Sequence, residues 1–168
     1  YAGAYNNMGN ALSSKGDFEG AIESYKQALR IKPDYAGAYN NMGNALSSKG
    51  DLAEAIESYK QAIRIKPDFA GAYNNMANAM KNKGDLVEAI ESCKQALKIK
   101  PDYADAYYNM ANAMKDKGDL AEAIDSYKQA LKIKPNYASA YYNMGNALNE
   151  KGNPEAAIDS YKQAIKIK

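Results

Sequence analysis

Apolar side chains recur along this chain at helical spacing, in a pattern that returns every 34 residues. In the second stretch, Tyr39, Met42 and Leu46 lie three or four positions apart, which places them on one helix face. A second stripe, which includes Ile56 and Tyr59, follows the first after a glycine. The pattern therefore predicts two amphipathic helices in each stretch and an all-α chain.

Residues that start and stop helices stand at the ends of each predicted helix. Gly50 predicts a stop in the left-handed conformation. Asp51 is expected to cap the next helix, with Glu54 completing a capping box. Asp68 is placed to cap the first helix of the following stretch. In the first stretch Gly20 replaces the box glutamate, so we expect a weaker cap there.

The repeat itself is marked by a Tyr-(Asn/Tyr)-Asn-Met tetrapeptide. The predicted repeats are 2–35, 36–69, 70–103, 104–137 and 138–168, the last truncated and without a capping helix. The first two repeats differ at only five positions, which leaves open a recent duplication or a consensus-like, designed sequence. One helix pair cannot bury its own apolar stripe, so neighbouring pairs must stack to form the core.

Composition and charge exclude several classes of function. With 46% hydrophobic and 25% charged residues, the composition is globular. A net charge of +2 predicts no strong attraction to nucleic acid or to an anionic membrane. Histidine, the commonest general base and metal ligand, is absent. We therefore expect no enzyme activity, no cofactor and no metal site.

The single cysteine and the two ends of the chain add weaker indications. One cysteine excludes an internal disulfide and favours a reducing compartment such as the cytoplasm. Tyr1 stands where an initiator Met would be, which indicates a fragment or a processed product. Because the chain reaches Lys168 without a capping helix, Ile158 and Ile165 are expected to expose apolar surface. This predicts that copies can associate end to end.

The residues that recur every 34 positions resemble the pattern of the tetratricopeptide repeat family over the whole chain. The positions that match its pattern in the second repeat are Tyr39, Met42, Gly43, Ala55, Tyr59, Ala62 and Pro67. The resemblance implies a right-handed superhelical solenoid of antiparallel helix pairs, whose first helices line a concave groove. The chain departs from the pattern at Cys93, which occupies an aromatic position, and at its last repeat, which ends before the proline.

Two sets of asparagines recur on the predicted first helices without serving the apolar stripe. Asparagine is a mediocre helix former, so its recurrence calls for another explanation. The first amide set consists of Asn7, Asn41, Asn75, Asn109 and Asn143, and the second amide set consists of Asn10, Asn44, Asn78, Asn112 and Asn146. The resemblance places both in the groove. The first set is similar to the asparagine ladder of O-linked N-acetylglucosamine transferases, which grips the main chain of a bound peptide.

A primary amide suits main-chain recognition because it carries two donor hydrogens and an acceptor oxygen. Each hydrogen bond would contribute only about 0.5–1.5 kcal/mol, so affinity would come from the sum. The alternative is that these amides bond between adjacent helices and orient the stack. The two roles are compatible.

Other predicted groove positions change along the chain. Asn40 and Asn74 give way to Tyr108 and Tyr142, and serines give way to charged residues. The lysines that take the serine position are Lys81 and Lys115. Tyrosine is a frequent interface anchor, so we expect selectivity to lie toward the C-terminal half.

The leading hypothesis is a non-catalytic scaffold that binds an extended protein or peptide segment. A second is an array that presents substrates to the catalytic domain of a larger glycosyltransferase. A third is a structural or designed solenoid that stacks on itself. The basic clamp by which co-chaperones of the family bind acidic chaperone tails is missing, since Asn6, Gly71 and Asn75 occupy its positions.

Overall fold

The computed structural model describes residues 1–167, and Lys168 lies outside them. The described residues form an all-α protein of ten helices in antiparallel pairs. These helices are α1 (Ala2–Ser14), α2 (Phe18–Ile31), α3 (Ala36–Lys49), α4 (Leu52–Ile65), α5 (Ala70–Lys83), α6 (Leu86–Ile99), α7 (Ala104–Lys117), α8 (Leu120–Ile133), α9 (Ala138–Glu150) and α10 (Pro154–Lys166).

The chain divides into two compact units, Tyr1–Gly84 and Asp85–Lys168. In the first unit, α1 pairs with α2 and α3 pairs with α4, while α1, α3 and α5 lie side by side. In the second unit, α7 pairs with α8 and α9 pairs with α10, while α7 and α9 lie side by side. Within each unit the first helices therefore share one surface.

Each unit has its own core, built from the predicted stripes. In the first unit the core includes Tyr25, Tyr59 and Ile56, and in the second it includes Tyr127 and Ile124. All five side chains are buried because the helices of neighbouring pairs cover them. The burial of these large side chains is the main contribution to the stability of each unit.

A glycine on the first helix of a pair leaves space for the tyrosine ring of the second helix. A Cβ atom added to Gly43 would lie 2.6 Å from the Tyr59 ring, closer than two carbon atoms can approach without movement. The second unit has Ala111 at the equivalent position, and Tyr127 is nevertheless fully buried there. The first and second helices of a pair thus pack closely in both units.

The stop signal at Gly50 was predicted correctly, but the side-chain caps at Asp51 and Asp68 were not. Gly50 follows α3 with φ 97°, in the left-handed region that favours glycine. The side chain of Asp51 makes no cap hydrogen bond to α4, and its carboxylate instead lies 3.0 Å from Nζ of Lys49. The predicted capping box with Glu54 is therefore wrong, because a lysine two residues upstream competes for the carboxylate.

The cap expected to be weak is in fact formed. Oδ1 of Asp17 accepts a hydrogen bond from the backbone N–H of Gly20 at 2.9 Å. A Cβ atom at Gly20 would lie 2.5 Å from Asp17 Oδ2, so the glycine leaves room for the carboxylate. The Asp68 cap is also wrong, because Phe69 occupies the N-cap position of α5 and Asp68 lies in the preceding turn.

Candidate functional site

The amides of both sets lie on the first helices α1, α3, α5, α7 and α9. In the first amide set only Asn7 is exposed, and the other four are half-buried. In the second amide set Asn112 and Asn146 are half-buried and the other three are exposed. Each unit thus presents amides on the surface that its first helices share, and their contact with a ligand stays a prediction.

In the first unit the amides bond from one repeat to the next. Nδ2 of Asn41 donates to Oδ1 of Asn6 at 3.2 Å and to Oδ1 of Asn10 at 3.1 Å. An amide nitrogen carries two hydrogens, so both are engaged. Among residues 1–167, Oδ1 of Asn41 meets only Nδ2 of Asn40 at 3.5 Å, beyond the usual range of a hydrogen bond. Asn41 can therefore offer a ligand an acceptor but not a donor.

In the second unit a tyrosine completes the same arrangement. Nδ2 of Asn143 donates to the hydroxyl of Tyr108 at 2.9 Å and to Oδ1 of Asn112 at 3.0 Å. Both hydrogens of this amide are again engaged, while its oxygen accepts no hydrogen bond from the described residues. The nitrogen of the first-set amide thus links neighbouring repeats in both units, whereas contact of its oxygen with a ligand stays a prediction.

The second amide set is bonded to the second helices. In four repeats a tyrosine hydroxyl donates to Oδ1 of the amide 15 residues earlier. The pairs are Tyr25–Asn10 at 2.9 Å, Tyr59–Asn44 at 2.8 Å, Tyr127–Asn112 at 2.6 Å and Tyr161–Asn146 at 2.8 Å. Burial raises the pKa of Tyr25, Tyr59 and Tyr127 above the ordinary tyrosine value, so these hydroxyls remain donors at neutral pH.

Two predicted site residues lie deeper than a groove surface. Asn40 is 9% exposed and Asn74 is 6% exposed. Each residue of an α-helix turns the side-chain direction by about 100°, so a residue next to the first amide set points away from it. Oδ1 of Asn40 accepts from Nδ2 of Asn75 at 3.1 Å, which makes Asn40 a support for the first amide set.

The predicted C-terminal anchors differ in accessibility. Tyr142 is 55% exposed, whereas Tyr108 is half-buried with its ring centroid 4.9 Å from that of Tyr137. Lys115 is half-buried with Nζ 3.4 Å from Asp116, and Lys81 is also half-buried. An open depression of about 820 Å³ is lined by residues that include Tyr108, Tyr142, Asn143 and Asn146. The two aromatic anchors thus come together with two amides of the second unit, Asn143 and Asn146.

The tyrosine hydroxyls are the part of the site that sequence reasoning missed. These tyrosines belong to the predicted apolar stripes, and the rings of Tyr25, Tyr59 and Tyr127 are indeed packed in the core, whereas Tyr161 is half-buried. The signal was present, because a tyrosine follows the second-set asparagine by 15 residues in four of the five repeats. Cys93 breaks that series. It is buried, and burial raises the pKa of its thiol to about 12.

Other surfaces of the described chain give little indication of chemistry. Among residues 1–167, no cluster of three or more Cys, Asp or Glu side chains could hold a metal ion. No helix in that range is long and apolar enough to cross a membrane. Ile165 is 73% exposed, whereas the equivalent Leu131 is 8% exposed. End-to-end association through this apolar surface stays a prediction.

Comparison with protein families identifies the repeats. The TPR repeat family model matches residues 9–50, 43–84, 81–118 and 112–152, and the tetratricopeptide repeat model matches residues 138–168. The chain belongs to the tetratricopeptide repeat (TPR) family. TPR proteins typically mediate protein–protein interactions and are usually non-catalytic.

Solved structures of other TPR proteins resemble this TPR chain along nearly its whole length. A structure of MamA is 30% identical with a TM-score of 0.84, covering 95% of this chain and 94% of that one. YrrB, described as a TPR protein with an unusual peptide-binding site, is 25% identical with a TM-score of 0.75, covering 98% and 84%. PilF of Pseudomonas aeruginosa, at 20% identity, TM-score 0.90 and coverage of 99% and 76%, shows the fold alone. No curated protein matches the chain in sequence.

Proposed function

We propose that this chain is a non-catalytic scaffold that binds an extended peptide segment of a partner protein along its first helices. The observation that carries the proposal is the orientation of the first amide set. The nitrogens of Asn41 and Asn143 are held by the neighbouring repeat, so each oxygen is fixed in place before a ligand arrives. Such preorganisation lowers the entropy cost of binding.

The spacing of the repeats fits an extended peptide. Neighbouring helices lie about 8–10 Å apart, and an extended chain rises about 3.3 Å per residue. One amide oxygen can therefore meet a main-chain N–H about every second or third ligand residue. Because main-chain groups are the same in every residue except proline, these contacts would select an extended shape rather than a particular sequence.

Selectivity in this proposal comes from the aromatic depression of the second unit. Tyr142 offers an exposed ring beside Asn143, and tyrosine is enriched among the residues that dominate binding energies. An apolar or aromatic ligand side chain would fill this depression while the neighbouring amide holds the main chain. The resemblance to YrrB, a TPR protein with a peptide-binding site, supports the class of ligand.

An array of random dodecapeptides tests the proposal directly. The variant Asn7→Ala/Asn41→Ala/Asn75→Ala removes three oxygens from the first unit. The loss of three bonds of about 0.5–1.5 kcal/mol each should weaken capture at least tenfold. The matched control Glu57→Ala/Lys60→Ala removes an exposed ion pair from α4 and should bind like the parent. Equal capture by the amide variant and the control, with both folded by circular dichroism, would defeat the proposal.

Presentation of substrates to the catalytic domain of a glycosyltransferase is a special case of the same binding. It requires the same contacts with an extended segment, so the array experiment applies to it as well. The sequence that flanks these repeats in the parent gene would distinguish it from a free-standing scaffold.

A further inference from the structure

The second amide set is held in one orientation by the tyrosines of the second helices. The four tyrosine–asparagine pairs have oxygen–oxygen distances of 2.6–2.9 Å. The same bond recurs in both units, although the residues around the first amide set change. In these four repeats the hydroxyl donates to Oδ1, so Nδ2 of the amide does not face that hydroxyl.

At two positions the amide oxygen is fully occupied. Oδ1 of Asn10 accepts from the hydroxyl of Tyr25 and from Nδ2 of Asn41. Oδ1 of Asn112 accepts from the hydroxyl of Tyr127 and from Nδ2 of Asn143. A carbonyl oxygen has two lone pairs, so neither oxygen can accept from a ligand. Within the described residues, Nδ2 of both asparagines has no hydrogen-bond partner and remains a donor.

We infer that the second amide set donates to the main-chain carbonyl oxygens of the bound peptide, and that the tyrosine hydroxyls are positioning residues for this contact. The inference rests on the proposed function, in which the first amide set accepts from main-chain N–H groups. The residue types are the same in the two sets, yet the structure assigns them opposite polarity. One set accepts, and the other donates.

This division of roles matches the edge of an extended chain. A residue in an antiparallel hydrogen-bonded pair uses both its N–H and its C=O toward the same partner. Members of the two sets lie three residues apart on a helix, so an acceptor and a donor sit about one turn, or about 5 Å, from each other. The ligand class is therefore a peptide with a free N–H and C=O edge. A run of prolines lacks the N–H groups and should bind poorly.

Tyr59→Phe/Tyr127→Phe tests the positioning role, because it keeps both rings and removes only the hydroxyls. The matched control is Tyr39→Phe/Tyr141→Phe, which alters two half-buried tyrosines of the first helices that have no hydroxyl bond among the described residues. The first readout needs no peptide. The side-chain NH₂ signals of Asn44 and Asn112 should gain fast motion in the test variant, by ¹⁵N relaxation, and stay rigid in the control.

The second readout is binding of the strongest dodecapeptide from the random array, synthesised as a free peptide. We expect roughly tenfold weaker affinity for the test variant and unchanged affinity for the control. Thioamide replacement of single carbonyls, which weakens the acceptor, should reduce affinity for the parent and much less for the test variant. The effect of the thioamide would then depend on the presence of the hydroxyls. A purely structural role of the hydroxyls would not produce this dependence.

The possible results test the orientation of the amides, their donor role and the proposed function separately. Amide signals that stay rigid without the hydroxyls would overturn the fixed orientation. Mobile amides with unchanged peptide affinity would overturn the donor role, while capture that still depends on Asn7, Asn41 and Asn75 would leave the proposed function standing. If capture does not depend on Asn7, Asn41 and Asn75, or if no peptide of the array binds, the proposed function and this inference are both wrong.

Discussion

In the first unit Nδ2 of Asn41 donates to the amide oxygen of Asn6, and in the second unit Nδ2 of Asn143 donates to the phenol oxygen of Tyr108. The two acceptors occupy the same position of their repeats. The distances are 3.2 and 2.9 Å, so the first amide set is oriented alike in both units. What differs is the group that provides the oxygen.

In both units this repeat position supplies an acceptor oxygen, although the chemistry around that oxygen differs. An amide oxygen serves as well as a phenol, but the phenol keeps a hydrogen to donate and adds a ring. The ring of Tyr108 stacks beside Tyr137 and lines the depression of the second unit. The second unit thus has an additional aromatic surface while the orientation of the amide is kept.

The largest effect is expected from the buried tyrosines that both units have in their cores. Tyr59→Ala in the first unit and Tyr127→Ala in the second should each cost about 3–5 kcal/mol of unfolding free energy, because each removes a fully buried ring and leaves a cavity. Urea denaturation of the full chain would measure both. A loss below about 1 kcal/mol in either variant would show that the cores are not equivalent.

A smaller effect tests the difference at Tyr108. Tyr108→Leu removes both the acceptor and the ring and should cost about 2 kcal/mol. Tyr108→Asn restores the residue of the first unit and should cost about 1 kcal/mol, since the acceptor is kept. Urea denaturation of both variants provides the measurement. Equal losses would mean that the acceptor contributes nothing and that only the ring matters.

Because the thiol of Cys93 in the second unit is buried, we expect the unfolding free energy to depend on pH through this group. Burial raises the pKa of Cys93 to about 12 from an unfolded value of 9.0. A raised pKa stabilises the fold below pH 9, and that stability is lost as the pH rises toward 12. By pH 10 the loss should be about 1 kcal/mol. Cys93→Ala should show a correspondingly flatter stability between pH 8 and 10. An unchanged pH profile would indicate an accessible thiol.

The fold could be predicted from the sequence because its signals are local and repeated. The stripe of Tyr39, Met42 and Leu46 and the stop at Gly50 need no knowledge of distant residues. The amide orientations could not be predicted in the same way. The bond from Tyr59 to Asn44 joins antiparallel helices, and which atom of an amide faces outward depends on partners from two other helices.

Helix caps show the same limit at short range. Asp51 and Asp17 have the same residue type at the same repeat position, yet only Asp17 forms the cap. The cap residues in the sequence indicate neither that Lys49 competes for Asp51 nor that Gly20 leaves space for Asp17. Which partner a carboxylate takes therefore depends on its three-dimensional surroundings.

The smallest expected effect comes from these caps. Asp17→Ala removes a cap bond from the first unit and should cost about 0.5 kcal/mol. Asp119→Ala in the second unit removes only an exposed ion pair with Lys117 and should cost a few tenths of a kcal/mol at most. Thermal unfolding at low and high salt separates the two, because salt screens the ion pair and leaves the cap bond largely intact. If Asp119→Ala proved the costlier change, the carboxylate would be capping α8 in solution. The assignment of its role to the lysine would then be wrong.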